Sequence, residues 1–171
     1  RYIDWDVRYD QDMSGKAEDI MPGAVTQFLV SFPFECASMF DFGRSFAPEN
    51  GFDTSKATDG AMYPALNWMI YESKGNTSAL RPQERMANPG FVTLYMATRL
   101  ISEDAQKAVL EIPSTTPVVA WINGKRVVES MEKGPEPAPK YGEKWSVDLQ
   151  KGENILVLKV AALEQQPGLY V

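Results

Sequence analysis

The stretch Val118-Val119-Ala120-Trp121-Ile122-Asn123-Gly124-Lys125-Arg126-Val127-Val128-Glu129 decides the fold class. Two arms rich in β-branched and apolar residues flank Asn123-Gly124. That dipeptide supplies the two successive positive-φ positions of a type I′ turn, whose twist suits a pair of strands. The stretch therefore predicts a β-hairpin.

Outward from the hairpin the same period of two recurs. Ile3, Trp5, Val7 and Tyr9 alternate with Asp4, Asp6, Arg8 and Asp10. Phe28, Val30 and Phe32 repeat the pattern, as do Val92, Leu94, Met96 and Leu100. So do Ala108, Leu110 and Ile112, then Trp145, Val147 and Leu149, and finally Leu156, Leu158 and Val160. Alternation of this kind marks strands with one buried face. Lys151-Gly152-Glu153-Asn154 reads as a turn between the last two runs. With no helix longer than a turn or two, the pattern predicts an all-β chain of about eight to ten antiparallel strands, closed as a sandwich or barrel.

Three segments break the alternation. Ser78 to Ala87 is a candidate short helical turn, limited by Pro82. Ala37 to Tyr63 is polar, glycine-containing and without clear period, and Gly134 to Gly142 (GPEPAPKYG) is a proline-rich loop unsuited to pairing. These two loops are where a binding surface is expected, because irregular segments on a rigid scaffold commonly carry recognition. Gly168 to Val171 reads as the start of a final strand.

The 171 residues suit one domain. The division expected is an N-terminal strand and loop extension at 1–24 and a core at 25–171. Absence of histidine removes Ser-His-Asp triads, His-liganded zinc sites and imidazole acid–base steps. The single cysteine, Cys36, has no partner for an intrachain disulfide and no histidine to activate it, so it reads as a small buried apolar residue. A net charge of −6 opposes phosphate backbones and argues against a nucleic-acid partner. No apolar run reaches the roughly 18–20 residues that span a bilayer, so membrane insertion is not expected. A sequence that starts at Arg1 reads as a processed or excised piece of a longer protein.

Three linked stretches carry a family resemblance: LYMATRLISEDAQKAVLEI at Leu94 to Ile112, VVAWINGKRVV at Val118 to Val128, and VDLQKGENILVLKV at Val147 to Val160. Upstream, QFLVSFPF at Gln27 to Phe34 and the later GFDTSKATDGAMYPALNWMIYE extend it. In order and spacing they resemble galactose-binding-like (jelly-roll) domains, the carbohydrate-binding and accessory domains of exported bacterial glycoside hydrolase-type and planctomycete-type proteins. Two positions depart from that pattern. Ser114-Thr115-Thr116-Pro117 replaces the family's acidic Asp-Asp-Gly, and Ser31-Phe32 replaces the glycine of its Gly-Pro-Phe. The resemblance implies a β-sandwich that is not an enzyme, lies outside the cytoplasm (secreted, periplasmic or cell-surface), and partners a polysaccharide or oligosaccharide and neighbouring domains of the same polypeptide.

Sugars are gripped by aromatic rings laid on the apolar face of a pyranose, with planar polar groups around its hydroxyls. Tyr141 and Trp145, beside Lys140 and Glu143, border the proline-rich loop, and Tyr63, Asn67 and Trp68 border the other. These seven residues are the candidate ligand contacts, provided both loops meet at one rim. Trp5 and Trp121 read as packing residues. Asp10-Gln11-Asp12-Met13-Ser14-Gly15 opens like a calcium loop, with Asp10, Asp12, Ser14 and Glu18 as oxygen ligands, although Met21 stands where a bidentate glutamate is required. A structural calcium is the one cofactor considered. For carboxylate-based glycoside hydrolysis the candidate acids are Glu35 and Asp41, near Phe40 and Phe42. The alternative to glycan binding is a structural or protein-interaction sandwich that packs on a neighbouring domain and binds no sugar.

Overall fold

A computed structural model of the chain describes residues 25, 27–31, 34–35, 42–50, 52, 68–72, 79–80, 92–112, 114, 116–130, 143–162 and 169–170. The expected opening strand through Ile3 and Tyr9, Cys36 and the proline-rich loop lie outside them. Among the described residues the strands are β1 (Gln27–Val30), β2 (Phe34–Glu35), β3 (Met69–Glu72), β4 (Ala79–Leu80), β5 (Val92–Ser102), β6 (Gln106–Ile112), β7 (Val118–Ile122), β8 (Lys125–Ser130), β9 (Glu143–Leu149), β10 (Gly152–Ala162) and β11 (Leu169–Tyr170). A 3-10 turn covers Ala47–Asn50.

The predicted hairpin is β7–β8. Ile122 faces Lys125 across the turn, and φ is 52° at Asn123 and 78° at Gly124, the two positive values that Asn-Gly tolerates. A β-carbon at Gly124 would meet no neighbour, so glycine is needed there for its backbone angle and not for space. The ladder slips by one between Ala120 and Trp121, leaving Val127 as the extra residue of a bulge.

A seven-stranded sheet runs in the order β3-β1-β5-β10-β7-β8, with β2 also paired to β5. Its spine is the antiparallel β5–β10 ladder, from Ser102 opposite Gly152 to Val92 opposite Ala162. β1 and β2 share one edge of β5: Val30 faces Met96 and Phe34 faces Thr93. One strand thus advances four residues while β5 advances three. Ser31 spans the irregularity, giving its N–H to the Tyr95 carbonyl at 2.8 Å and accepting the Tyr95 N–H on its Oγ at 2.9 Å. β6 and β9 form a second antiparallel pair, and β4 with β11 a third.

The sheet is buried on both faces. Phe28, Leu94, Met96, Val118, Ala120, Leu156 and Leu158 point to one side and pack with Leu110 and Ile112 of β6 and Val147 of β9. That is the sandwich, and its residues are those the alternation marked. The residues between them, Leu29, Tyr95, Ala97, Val119, Trp121, Val157 and Ala161, form a second cluster with Phe34, Phe42, Phe46 and Trp68. The expectation of strands with one buried face is corrected here: the chain at 42–52 lies over the other face. β7 is accordingly buried along its whole length. Full burial of side chains of this size is worth about 1.5–3 kcal/mol each, so the covering segment is integral to the fold.

Two further expectations are corrected. Part of the 37–63 stretch, read as a polar loop, contributes Phe42, Phe46 and Pro48 to the interior. Within Ser78 to Ala87, read as a helical turn, Ala79–Leu80 is a strand paired with Leu169–Tyr170, and that pairing also makes the expected final strand real.

Candidate functional site

The two ends of the sandwich differ in kind. At one end the connections are short: 103–105 joins β5 to β6, Asn123-Gly124 joins β7 to β8, and Gln150-Lys151 joins β9 to β10. At the other, Val92 lies opposite both Glu35 and Ala162, Val118 opposite both Ser130 and Val160, and Ile112 opposite Glu143. The connections 36–68, 81–91, 113–117, 131–142 and 163–168 all begin or end on those residues or their neighbours. The three longest connections, 36–68, 81–91 and 131–142, therefore begin or end at one rim, while three tight turns and the start of 73–78 after Glu72 lie toward the other.

The turn end is closed by side-chain amides. Asn154 is fully buried; its Oδ1 accepts from Asn123 Nδ2 and from the Gln150 N–H, both at 2.9 Å, while its Nδ2 donates to the Gln150 carbonyl at 2.9 Å. Asn123 Oδ1 accepts the Ile155 N–H at 2.9 Å, and Asn123 N–H donates to the Ile155 carbonyl at 2.9 Å. Gln106 Nε2 donates to Ser102 Oγ at 2.8 Å, which donates in turn to the Asp104 carbonyl at 2.7 Å.

Near the loop end, a charged group is sealed in the second cluster. Lys159 is 2% exposed. Its ammonium donates to Glu49 Oε1 at 2.7 Å and to the Arg44 carbonyl at 2.6 Å, with the rings of Phe42, Phe46 and Tyr95 at 5.2, 5.6 and 5.8 Å. Tyr95 Oη also donates to Glu49 Oε1, and Ser45 Oγ donates to Glu49 Oε2 at 2.8 Å. Burial pushes the Glu49 carboxyl up, but hydrogen bonds from Lys159, Tyr95 and Ser45 and the Lys159 charge outweigh it and hold the group below its ordinary value. This arrangement pins the 3-10 turn to β5 and β10. The sequence signal for it was a lysine inside the apolar run Ile155 to Ala161, at a position whose same-face neighbours Val157 and Ala161 are apolar. Glu49 carried no signal of its own.

The expected ligand contacts fall in three groups. Trp145 lies on β9, opposite Leu110, half-buried against the first cluster near the point where 131–142 joins the strand. Glu143 begins that strand opposite Ile112. Trp68 sits just before β3 and is 9% exposed, its ring meeting Phe52 edge to face at 5.0 Å. That placement corrects the expectation of an open aromatic platform at Trp68: the ring fills the space between the covering segment and the sheet edge. Lys140, Tyr141, Tyr63 and Asn67 lie outside the described residues, as do Asp10, Asp12, Ser14, Glu18 and Asp41. Glu35 is a strand residue opposite Val92, Phe42 is buried, and Trp121 packs in the second cluster as expected. Among the described residues no group of three or more Cys, Asp or Glu gathers as a metal site would require, and no helix is long and apolar enough to cross a membrane.

No protein-family model matches the sequence, and no curated protein matches it. The fold is similar to parts of solved glycoside hydrolases. A β-glucuronidase from Faecalibacterium prausnitzii is 12% identical over 80% of this chain, with a TM-score of 0.46. A β-glucosidase from Kluyveromyces marxianus in complex with glucose is 10% identical over 60% of the chain, with a TM-score of 0.43. The chain spans 20% and 13% of those two proteins' lengths.

Proposed function

We propose that the chain is a non-catalytic accessory β-sandwich that holds a glycan at its loop end, keeping neighbouring domains of the same extracytoplasmic polypeptide close to their substrate. The observation that carries this reading is the take-off of both candidate loops from one rim. β9 starts beside the end of β6, and β2 ends beside the start of β5. Trp145 stands at the base of one loop, half-buried, so that its ring is braced by the core. A braced ring loses little freedom on stacking, and each such contact is worth about 0.5–1.5 kcal/mol beyond burial. The buried amine and carboxylate, Lys159 and Glu49, are engaged with each other, an arrangement suited to holding a scaffold. A chain of net charge −6 favours neutral sugars over polyanions.

The second reading, a sandwich that packs on a neighbouring domain and binds no sugar, is favoured by the burial of Trp68 and Trp121. A polysaccharide array followed by titration calorimetry separates the two. Glycan binding is expected in the micromolar to millimolar range, about −8 to −4 kcal/mol, weakened by Trp145→Ala. Absence of heat with every array-positive glycan removes the first reading and leaves the second.

A further inference from the structure

Asn123-Gly124 carries a chemical liability as well as a turn. The side-chain carbonyl carbon of an asparagine is open to attack by the backbone nitrogen of the next residue, and glycine, with no β-carbon, hinders that attack least. The chain has two such dipeptides, Asn50-Gly51 and Asn123-Gly124. At the second, both residues are exposed and a β-carbon built at Gly124 would meet nothing, so water and base reach the turn. The amide itself is nevertheless held at both polar atoms: Nδ2 donates to Asn154 Oδ1 and Oδ1 accepts the Ile155 N–H, each at 2.9 Å. Closing a ring onto the Gly124 nitrogen makes Cγ tetrahedral and then expels Nδ2, so it moves both held atoms and breaks the Asn154 bond. Asn154 has no freedom to follow. It is fully buried, with its Nδ2 donating to the Gln150 carbonyl at 2.9 Å and to the Gly152 carbonyl at 3.2 Å.

We propose that Asn123 is a site of spontaneous deamidation that the Asn154 clamp holds closed in the folded chain, and that its conversion, once it occurs, opens the turn end irreversibly. In the reaction the Gly124 nitrogen gives its proton to base and bonds to Asn123 Cγ. The Cγ–Nδ2 bond breaks, and the nitrogen takes up one proton and leaves as ammonia. Water then opens the five-membered imide, at Cγ to give aspartate or at the backbone carbonyl carbon to give isoaspartate; no oxidant or cofactor enters. A carboxylate has acceptors and no donor. In aspartate an oxygen therefore replaces the donor that faces Asn154 Oδ1, and Asn154 cannot donate back because its own amide hydrogens are engaged. Isoaspartate in addition lengthens the main chain by a carbon between Ile122 and Lys125, which face each other across the turn. Either product removes the tie between the two turns.

The test is peptide mapping by mass spectrometry of the full chain held at mildly alkaline pH, both folded and unfolded in urea. Asn50-Gly51, read in the unfolded sample, gives the intrinsic reactivity of the dipeptide. Asn123 should convert at a similar rate in the unfolded chain and at least about tenfold more slowly in the folded one, since hydrogen bonds must open first. Asn154→Ala, with folding checked by circular dichroism, removes the acceptor and should raise conversion of Asn123 in the folded state about tenfold. Asn123→Asp, which reproduces one product, should melt below the native chain. A rate at Asn123 unchanged by Asn154→Ala overturns the clamp. Should Asn154→Ala not fold, the native chain and Asn123→Asp still decide: conversion as fast folded as unfolded, or a native melting temperature in Asn123→Asp, overturns the proposal.

Discussion

Asn123 donates its side-chain amide to the side-chain oxygen of Asn154 at 2.9 Å, tying together two turns that are 31 residues apart in the chain. Asn123 is therefore more than a residue that tolerates a positive φ. It also takes the place of a ladder partner for Ile155, through its own N–H and its Oδ1. Asn123→Gly keeps the turn geometry but loses the side-chain bonds, with an expected cost of about 1–2 kcal/mol. Asn123→Ala loses the bonds and strains the backbone as well, and should cost roughly 1 kcal/mol more. Urea unfolding of the two variants measures both terms; equal stabilities would show that the backbone angle contributes nothing.

The Lys159–Glu49 pair is expected to behave as a unit. Lys159→Met leaves a carboxylate in an aromatic pocket without its counter-charge and should cost about 3–5 kcal/mol. Adding Glu49→Gln removes that uncompensated charge, so the double variant should be more stable than Lys159→Met alone. A double-mutant cycle by chemical denaturation reads the coupling, and strictly additive losses would mean that the two groups act independently.

Acid should act on the same carboxylate. Its folded pKa lies below the ordinary value of 4.5 that it takes in the unfolded chain. In the window between those values the unfolded chain binds the proton and the folded one does not. The stabilisation is thus complete above 4.5 and is lost as pH falls through the folded value. Comparing the native chain with Glu49→Gln from about pH 6 to pH 3 isolates the effect. The native chain should lose more stability on acidification than the variant, and parallel curves would contradict the assignment.

Burial of both faces of the sheet predicts unequal costs for the same substitution. Val119, on the face under the 42–52 segment, is 5% exposed, whereas Val109 on β6 is 66% exposed. Val119→Ala should cost about 2 kcal/mol and Val109→Ala less than about 0.5 kcal/mol. Thermal unfolding decides it. Similar losses at both positions would mean that the second face is not sealed.

Local chemistry made much of this fold legible. Asn123-Gly124 announced the hairpin, and alternation in Val92 to Leu100 and Leu156 to Val160 marked the inner face of the sandwich, because side chains two apart share a face. The second face escaped because its cover is not a strand. Phe42 and Phe46 lie in a stretch with no period, and only the three-dimensional path of 42–52 brings them over Val119 and Val157. The same gap explains the site. Trp68 and Trp145 both looked like residues at strand borders, and sequence spacing does not distinguish a ring that lies under a covering segment from one braced at a rim. Lys159 is a charge inside an apolar run, a signal passed over in favour of the Leu156, Leu158 and Val160 alternation, and its partner is 110 residues away and unmarked by any motif.

The most direct measurement compares the two ends of the sandwich by calorimetry with one array-positive glycan. Trp145→Ala, from the loop end, and Tyr141→Ala, four residues before it in the sequence, should each weaken binding about tenfold. Lys125→Ala and Lys151→Ala, at the turn end, should bind as the native chain does. Unchanged affinity in the first pair together with loss in the second would place recognition at the opposite rim and contradict the account.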